Sequence, residues 1–276
     1  MQSEGTFRGA GDIDLYRQCW KPDGTAKGAV AIIHGVREHS GRYAAMADDL
    51  TPHGYAVYCF DHRGHGRSAG QRGHINAWQE YRDDTDAFLA QVRRDAPDLP
   101  LFLFGHSMGA VIELDYLLFH PDAFRGAIIS GAALEPIDVT KPVQLAIARV
   151  LSRVRPTLST TWKFGGAGVS RDPAVVQAYD TDPLVNSQSS LRWGMEFLAA
   201  IDRVKSRAAE IKLPVLLLHG GDDRIVSPNG SRRLFDQISS ADKELKVYPG
   251  RFHEAHNDIG REEVLVDIVR WLDAHL

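Results

Sequence analysis

Cysteine is scarce, charges of the two signs nearly cancel, and no long apolar run occurs in the 276 residues. Cys19 and Cys59 lie far apart inside apolar segments. Two cysteines are too few for a disulfide scaffold, and the expectation is two buried free thiols in a reducing cytoplasm. With 32 lysines and arginines against 36 aspartates and glutamates, the net charge is -4. Such a balance offers no basic field to a phosphate backbone, so no nucleic-acid partner is expected. No segment approaches the roughly 18 apolar residues of a membrane span, and Met1 to Arg17 is polar with no apolar signal core. A soluble, unprocessed chain is expected. The 43% hydrophobic content suffices for one domain with an insertion or for two small domains.

Short apolar runs recur between helix-like stretches, at Ala29 to Ile33, Tyr55 to Phe60, Leu101 to Phe104, Gly126 to Ile129, Pro214 to Leu218 and Glu244 to Tyr248. Each is nearly continuously apolar, as a parallel strand covered on both faces would be. Asn76 to Asp95, Met108 to His120 and Glu262 to Leu276 carry apolar residues at helical spacing. Alternating strand and helix predicts an open, mostly parallel α/β sheet flanked by helices. The rhythm stops for about 80 residues, which is longer than a crossover needs. The core is therefore expected at 1–131 and 214–276, with a helical cap at 132–213. Two amphipathic helices are expected in the cap, one through Val143, Ile147, Val150, Leu151 and Val154, the other through Leu191, Met195, Leu198, Ile201 and Val204. A helical insertion there would overlie the carboxyl edge of the sheet, where open α/β proteins bind ligands.

Two Gly-x-Ser-x-Gly matches occur, around Ser68 and around Ser107. Context separates them. Leu101 to Phe104 runs as a strand into Gly105, and Ala110 to Leu114 continues from Gly109 as a helix, which is the layout of a nucleophile elbow. Ser68 follows the charged loop Asp61-His62-Arg63-Gly64-His65 and precedes no helix. A serine nucleophile needs a base and the base an orienting acid, which on this fold follow in the order Ser, Asp or Glu, His. Asp222 or Asp223 follows one late strand, and His253 follows the next. The oxyanion donors expected are the amides of Met108, after the nucleophile, and Val36, after His34-Gly35 at the end of an earlier strand. His275, on the last helical turn, reads as a favourable cation there. His62 and His65 lack further ligands at metal-site spacing, so a hydrogen-bonding role is expected and no metal.

The chain resembles the monoacylglycerol lipase group of α/β-hydrolases. The resemblance is carried by His34-Gly35-Val36-Arg37-Glu38-His39-Ser40-Gly41-Arg42-Tyr43, by Asp61 to Ser68 with Gly70 and Arg72-Gly73-His74, by the elbow at Ser107, and by the Asp223 and His253 loops. It implies Asp223 rather than Asp222 as acid, His253 as base, and Val36 with Met108 as oxyanion donors. It also implies that Glu38, Arg42 and His256 surround the glycerol end of a monoacylglycerol. Arg37 departs from the glycine usual in that group. A serine hydrolase acting on a lipid ester without cofactor follows, with the cap as a mobile apolar lid able to touch membranes or lipid aggregates transiently. A broader carboxylesterase or lysophospholipase is the alternative within enzymes; a non-catalytic hydrolase-fold binding protein is the alternative outside them.

Overall fold

The computed structural model describes residues 1–137, 142–161 and 165–276, with Pro142 and Val143 described for backbone only. Ten strands occur among them: β1 (Gln2–Arg8), β2 (Asp14–Trp20), β3 (Gly28–Ile33), β4 (Tyr55–Phe60), β5 (Leu101–His106), β6 (Gly126–Ser130), β7 (Ser159–Thr161), β8 (Gln188–Ser190), β9 (Val215–Gly220) and β10 (Lys243–Tyr248). The α-helices are α1 (Ala44–Leu50), α2 (Gln79–Asp95), α3 (Met108–Leu117), α4 (Pro142–Val154), α5 (Gly166–Val169), α6 (Pro173–Thr181), α7 (Leu191–Arg207), α8 (Pro228–Gln237) and α9 (Arg261–Ala274). Eight strands form one sheet in the order β1-β2-β4-β3-β5-β6-β9-β10. From β4 to β10 every pairing is parallel, and β2 joins β1 and β4 antiparallel.

Side chains alternate across the strands, so β3 sends Ala29, Ala31 and Ile33 to one core and Val30 and Ile32 to the other. The same alternation keeps the cysteines apart. Cys19 and Cys59 lie on paired strands, but their thiols enter opposite cores, so both are buried and free. All six expected strands are present, extended by one or two residues where their ends differ, except that β9 begins at Val215 rather than Pro214.

The β1-β2 hairpin was not expected from the polar N-terminus. β1 is an edge strand with only Phe7 buried, and its pairing with β2 holds it without an apolar signature. The stretch 132–213 also contains the small β7-β8 pair, where no strand was anticipated. Its two amphipathic helices behave oppositely. Trp193, Phe197, Ala200, Ile201 and Val204 of α7 join the core beside α2 and α3. On α4, Ile147, Val150 and Val154 remain 55%, 61% and 66% exposed, while the side chain of Val143 lies outside those described.

Candidate active site

Because β3, β5, β9 and β10 are parallel, their carboxyl ends share one edge. The loops that leave them carry, in turn, Val36, Ser107, Asp223 and His253. Ser107 stands between β5 and α3 with φ 55° and ψ -117°, a strained conformation for a residue with a Cβ. The turn closes so tightly that a Cβ on Gly109 would lie 2.0 Å from the carbonyl oxygen of Ile33. The turn is fixed by the Ser107 amide donating to the Ser130 carbonyl at 2.9 Å. Met108 is the first residue of α3, and the first amides of a helix have no intrahelical acceptor.

His253 Nδ1 lies 2.6 Å from Asp223 Oδ2. Asp223 Oδ1 accepts from the amides of Ile225 and Val226 at 2.8 and 3.0 Å, and His219 Nε2 reaches Oδ2 at 3.1 Å. Asp223 is buried whereas Asp222 is exposed. Burial alone would raise the Asp223 carboxyl, but the His253 charge and the hydrogen bonds from His219 and His253 hold it well below the usual carboxylate range. Burial would lower His253, yet Asp223 outweighs that and raises it. With Nδ1 committed to Asp223, Nε2 is the ring nitrogen left available to accept a proton. A Cβ on Gly131, just after β6, would lie 3.4 Å from the His253 ring and 3.2 Å from that of His106.

The loop after β3 passes directly beside Ser107, since a Cβ on Gly35 would lie 3.1 Å from that of Ser107. Gly35 donates its amide to Glu38 Oε1 at 2.5 Å, and Tyr43 donates its hydroxyl to the same oxygen at 2.9 Å. Beneath the loop, the His62 amide donates to His34 Nε2 at 3.0 Å and His62 Nε2 donates to the His34 carbonyl at 3.1 Å.

Arg42 bridges two buried carboxylates, with Nε 3.4 Å from Glu38 and Nη2 2.5 Å from Glu254. Burial and the Glu254 charge raise Glu38 despite Arg42, and Arg42 outweighs burial to keep Glu254 low. His256 stacks on Tyr43 at 5.6 Å and meets His106 edge-on at 4.9 Å. Burial lowers it to about 4, and neither of its ring nitrogens has a hydrogen-bond partner among the described residues.

The model of the family described as serine aminopeptidase S33 matches residues 24–260. A monoacylglycerol lipase from Mycolicibacterium smegmatis is 37% identical over 277 residues, covering 100% of this chain and 98% of that protein. The chain belongs to the monoacylglycerol lipase group of the α/β-hydrolases. The solved Paleococcus ferrophilus monoacylglycerol lipase superposes with a TM-score of 0.86 at 36% identity, covering 95% of this chain and 99% of that one. A soluble variant of the Saccharomyces cerevisiae monoglyceride lipase, solved with a substrate analogue, gives 0.86 at 26% identity over 98% and 94%. As a member of this group the protein is a carboxylic ester hydrolase.

Three residues of the candidate site are absent from the sequence-based expectations. Glu254 is the stronger partner of Arg42, His106 packs 4.7 Å from the His253 ring, and His219 shares the Asp223 carboxylate. Glu254 and His106 flank residues that were identified, and only that adjacency could have found them. The other Gly-x-Ser-x-Gly serine is structural. Ser68 Oγ accepts from the Tyr16 amide at 2.9 Å and donates to the Asp61 carbonyl at 2.5 Å. Among the described residues no cluster of His, Cys, Asp and Glu could hold a metal, and no helix is long and apolar enough to cross a membrane.

Proposed function

We propose that the protein hydrolyses monoacylglycerols to a fatty acid and glycerol. The observation that carries this reading is the 2.6 Å pair of His253 and Asp223 at the sheet edge that also presents Ser107 in a strained elbow. Ser107 Oγ attacks the ester carbonyl carbon while His253 Nε2 takes its proton and Asp223 stabilises the imidazolium. The amides of Val36 and Met108 receive the oxyanion. Collapse of the tetrahedral intermediate expels glycerol, protonated by His253. Water, activated by the same imidazole, then releases the fatty acid and restores Ser107. No step draws on a cofactor.

Glycerol hydroxyls need donors and acceptors together. Glu38, Arg42 and His256 are the groups assigned to them, with His256 best suited because both its ring nitrogens lack hydrogen-bond partners among the described residues. Residues 132–213 serve as the cap over the acyl chain. The exposed ridge of Ile147, Val150 and Val154, flanked by Arg149 and Arg153, suits transient contact with a lipid surface. Two buried free thiols fit a cytoplasmic enzyme. The test is an ester panel that crosses acyl length with glycerol, p-nitrophenol and lysophospholipid alcohols. Highest kcat/KM on the glycerol esters is expected. Equal rates on all three at one acyl length would replace this reading with a general esterase.

A further inference from the structure

Three non-glycine residues have a left-handed φ among those described, and two of them belong to the site: Ser107 and Arg37, with φ 71°. Strain at a nucleophile elbow has an evident use. Strain at Arg37 asks for a compensating contact, because glycine would adopt this conformation freely. The side chain is 7% exposed, and it is engaged rather than merely covered.

Arg37 holds one cap residue twice. Its carbonyl accepts from the Asn186 amide at 3.0 Å, and its Nε donates to the Asn186 carbonyl at 3.1 Å. Its guanidinium also lies 5.6 Å from the ring centroid of Tyr179 on α6. Nearby, His39 Nε2 meets Asp182 Oδ2 at 2.9 Å. The loop that bears Val36 is thus fastened, within three residues of that amide, to the segment between α6 and β8. A glycine at 37 would keep the carbonyl bond to Asn186 and lose the side-chain bond. That second bond, with the contact to the Tyr179 ring, is what arginine adds.

We propose that Arg37 is a positioning residue: it ties the Val36 amide to the cap at Asn186, so that the oxyanion hole takes its working geometry only with the cap in place. The proposal rests on the reading of Val36 as an oxyanion donor. Donors of this kind act through position, since they must meet the developing oxyanion rather than the ground-state carbonyl. A loosened Val36 therefore costs turnover more than substrate binding.

The experiment compares the full chain with Arg37→Gly, Arg37→Met and Arg37→Lys. It measures kcat and KM on a butyrate and a long-chain ester, Tm, and inhibition by a long-chain trifluoromethyl ketone, which forms a hemiketal oxyanion on the serine. Arg37→Met keeps the apolar stem without the donor, and Arg37→Gly suits the backbone without the tether. Both should lose tenfold or more in kcat on both esters, with KM within about twofold, and should bind the ketone weaker by a similar factor. Arg37→Lys, which can donate to the same carbonyl, should recover most of kcat. Unchanged kcat and ketone affinity in Arg37→Gly or Arg37→Met, whatever happens to Tm, overturns the role of Arg37 alone. A wild-type enzyme that does not bind the ketone overturns the oxyanion-hole reading as well.

Discussion

His253 Nδ1 and Asp223 Oδ2 are 2.6 Å apart, and the same carboxylate oxygen takes His219 Nε2 at 3.1 Å. One oxygen therefore sets the tautomer of the base and is itself held by a second imidazole. The sign of the pH dependence follows. On the proposed mechanism the rate needs neutral His253, and Asp223 raises its pKa above 6.5 against the effect of burial. Activity should rise with pH through a midpoint above 6.5 and then level off. In Asp223→Asn the largest raising charge is gone and burial is opposed only by Glu254 and Glu38, so the midpoint should move down while the plateau falls by about 10⁴-fold. Profiles of kcat/KM against pH check both shifts, and coincident midpoints would remove Asp223 from its role.

The two Gly-x-Ser-x-Gly serines should separate in opposite assays. Ser107→Ala should lose at least about 10³-fold in kcat with stability unchanged. Ser68→Ala should keep its activity but lose about 1 to 3 kcal/mol, because the Tyr16 amide is left buried without its acceptor. Urea unfolding beside esterase kinetics reads both. Activity lost from Ser68→Ala in a folded protein would reopen the choice of nucleophile.

These contrasts show where the sequence was legible. The elbow could be read because strand, Gly-x-Ser-x-Gly and helix are contiguous, and the order of Asp223 and His253 follows the order of β9 and β10. Neither the second carboxylate partner of Arg42, beside Glu38, nor the fates of α4 and α7 could be read. Glu254 lies 212 residues from Arg42, with no local pattern joining them. The apolar stripes of α4 and α7 have the same period, and periodicity reports an apolar face without saying what covers it. The polar residues of β1 conceal a strand because backbone pairing with β2, rather than burial, holds that edge.

The glycerol assignment divides unevenly between Glu38 and His256. Glu38 accepts from the Gly35 amide beside Ser107, so Glu38→Ala disturbs the oxyanion loop and should slow monoacylglycerol and p-nitrophenyl esters alike. His256→Ala removes ring nitrogens that bond nothing among the described residues. It should lower kcat/KM for monoacylglycerol by about 1 to 3 kcal/mol while sparing the p-nitrophenyl ester of equal acyl length. A glycerol role of Glu38 would show only as a loss on monoacylglycerol beyond the shared one. Equal losses on both esters in His256→Ala would take glycerol recognition away from this residue.

The exposed ridge of α4 should matter only where substrate is presented as an aggregate. Changing Ile147, Val150 and Val154 together to serine removes apolar surface that the fold leaves uncovered. Stability should therefore stay within about 0.5 kcal/mol per site. Sedimentation with lipid vesicles and turnover of long-chain esters should fall, with turnover of a soluble acetate ester unchanged. A parallel fall on acetate would mark α4 as part of the packed structure.

Acid should unfold this protein partly through the histidines beneath the loop after β3. His62 and His65 are buried, and burial together with His65 lowers His62 to about 3, while burial lowers His65 to about 4. The unfolded chain protonates a histidine near 6.5. Above that pH both states are neutral, and these residues add no pH dependence. Between about 6.5 and 4 the unfolded state binds protons that the folded state refuses, so stability falls as pH falls, by about 1.4 kcal/mol per pH unit for each histidine. Replacing one of them isolates its share from that of the carboxylates titrating in the same range. His65→Asn keeps an N–H able to serve the Arg63 carbonyl that His65 Nδ1 meets at 3.1 Å. Its unfolding free energy between pH 6 and pH 4 should decline less steeply than wild type by about 1.4 kcal/mol per unit. Equal slopes in chemical denaturation across that range would show that His65 already carries a proton in the folded protein, and that its burial does not drive the acid transition.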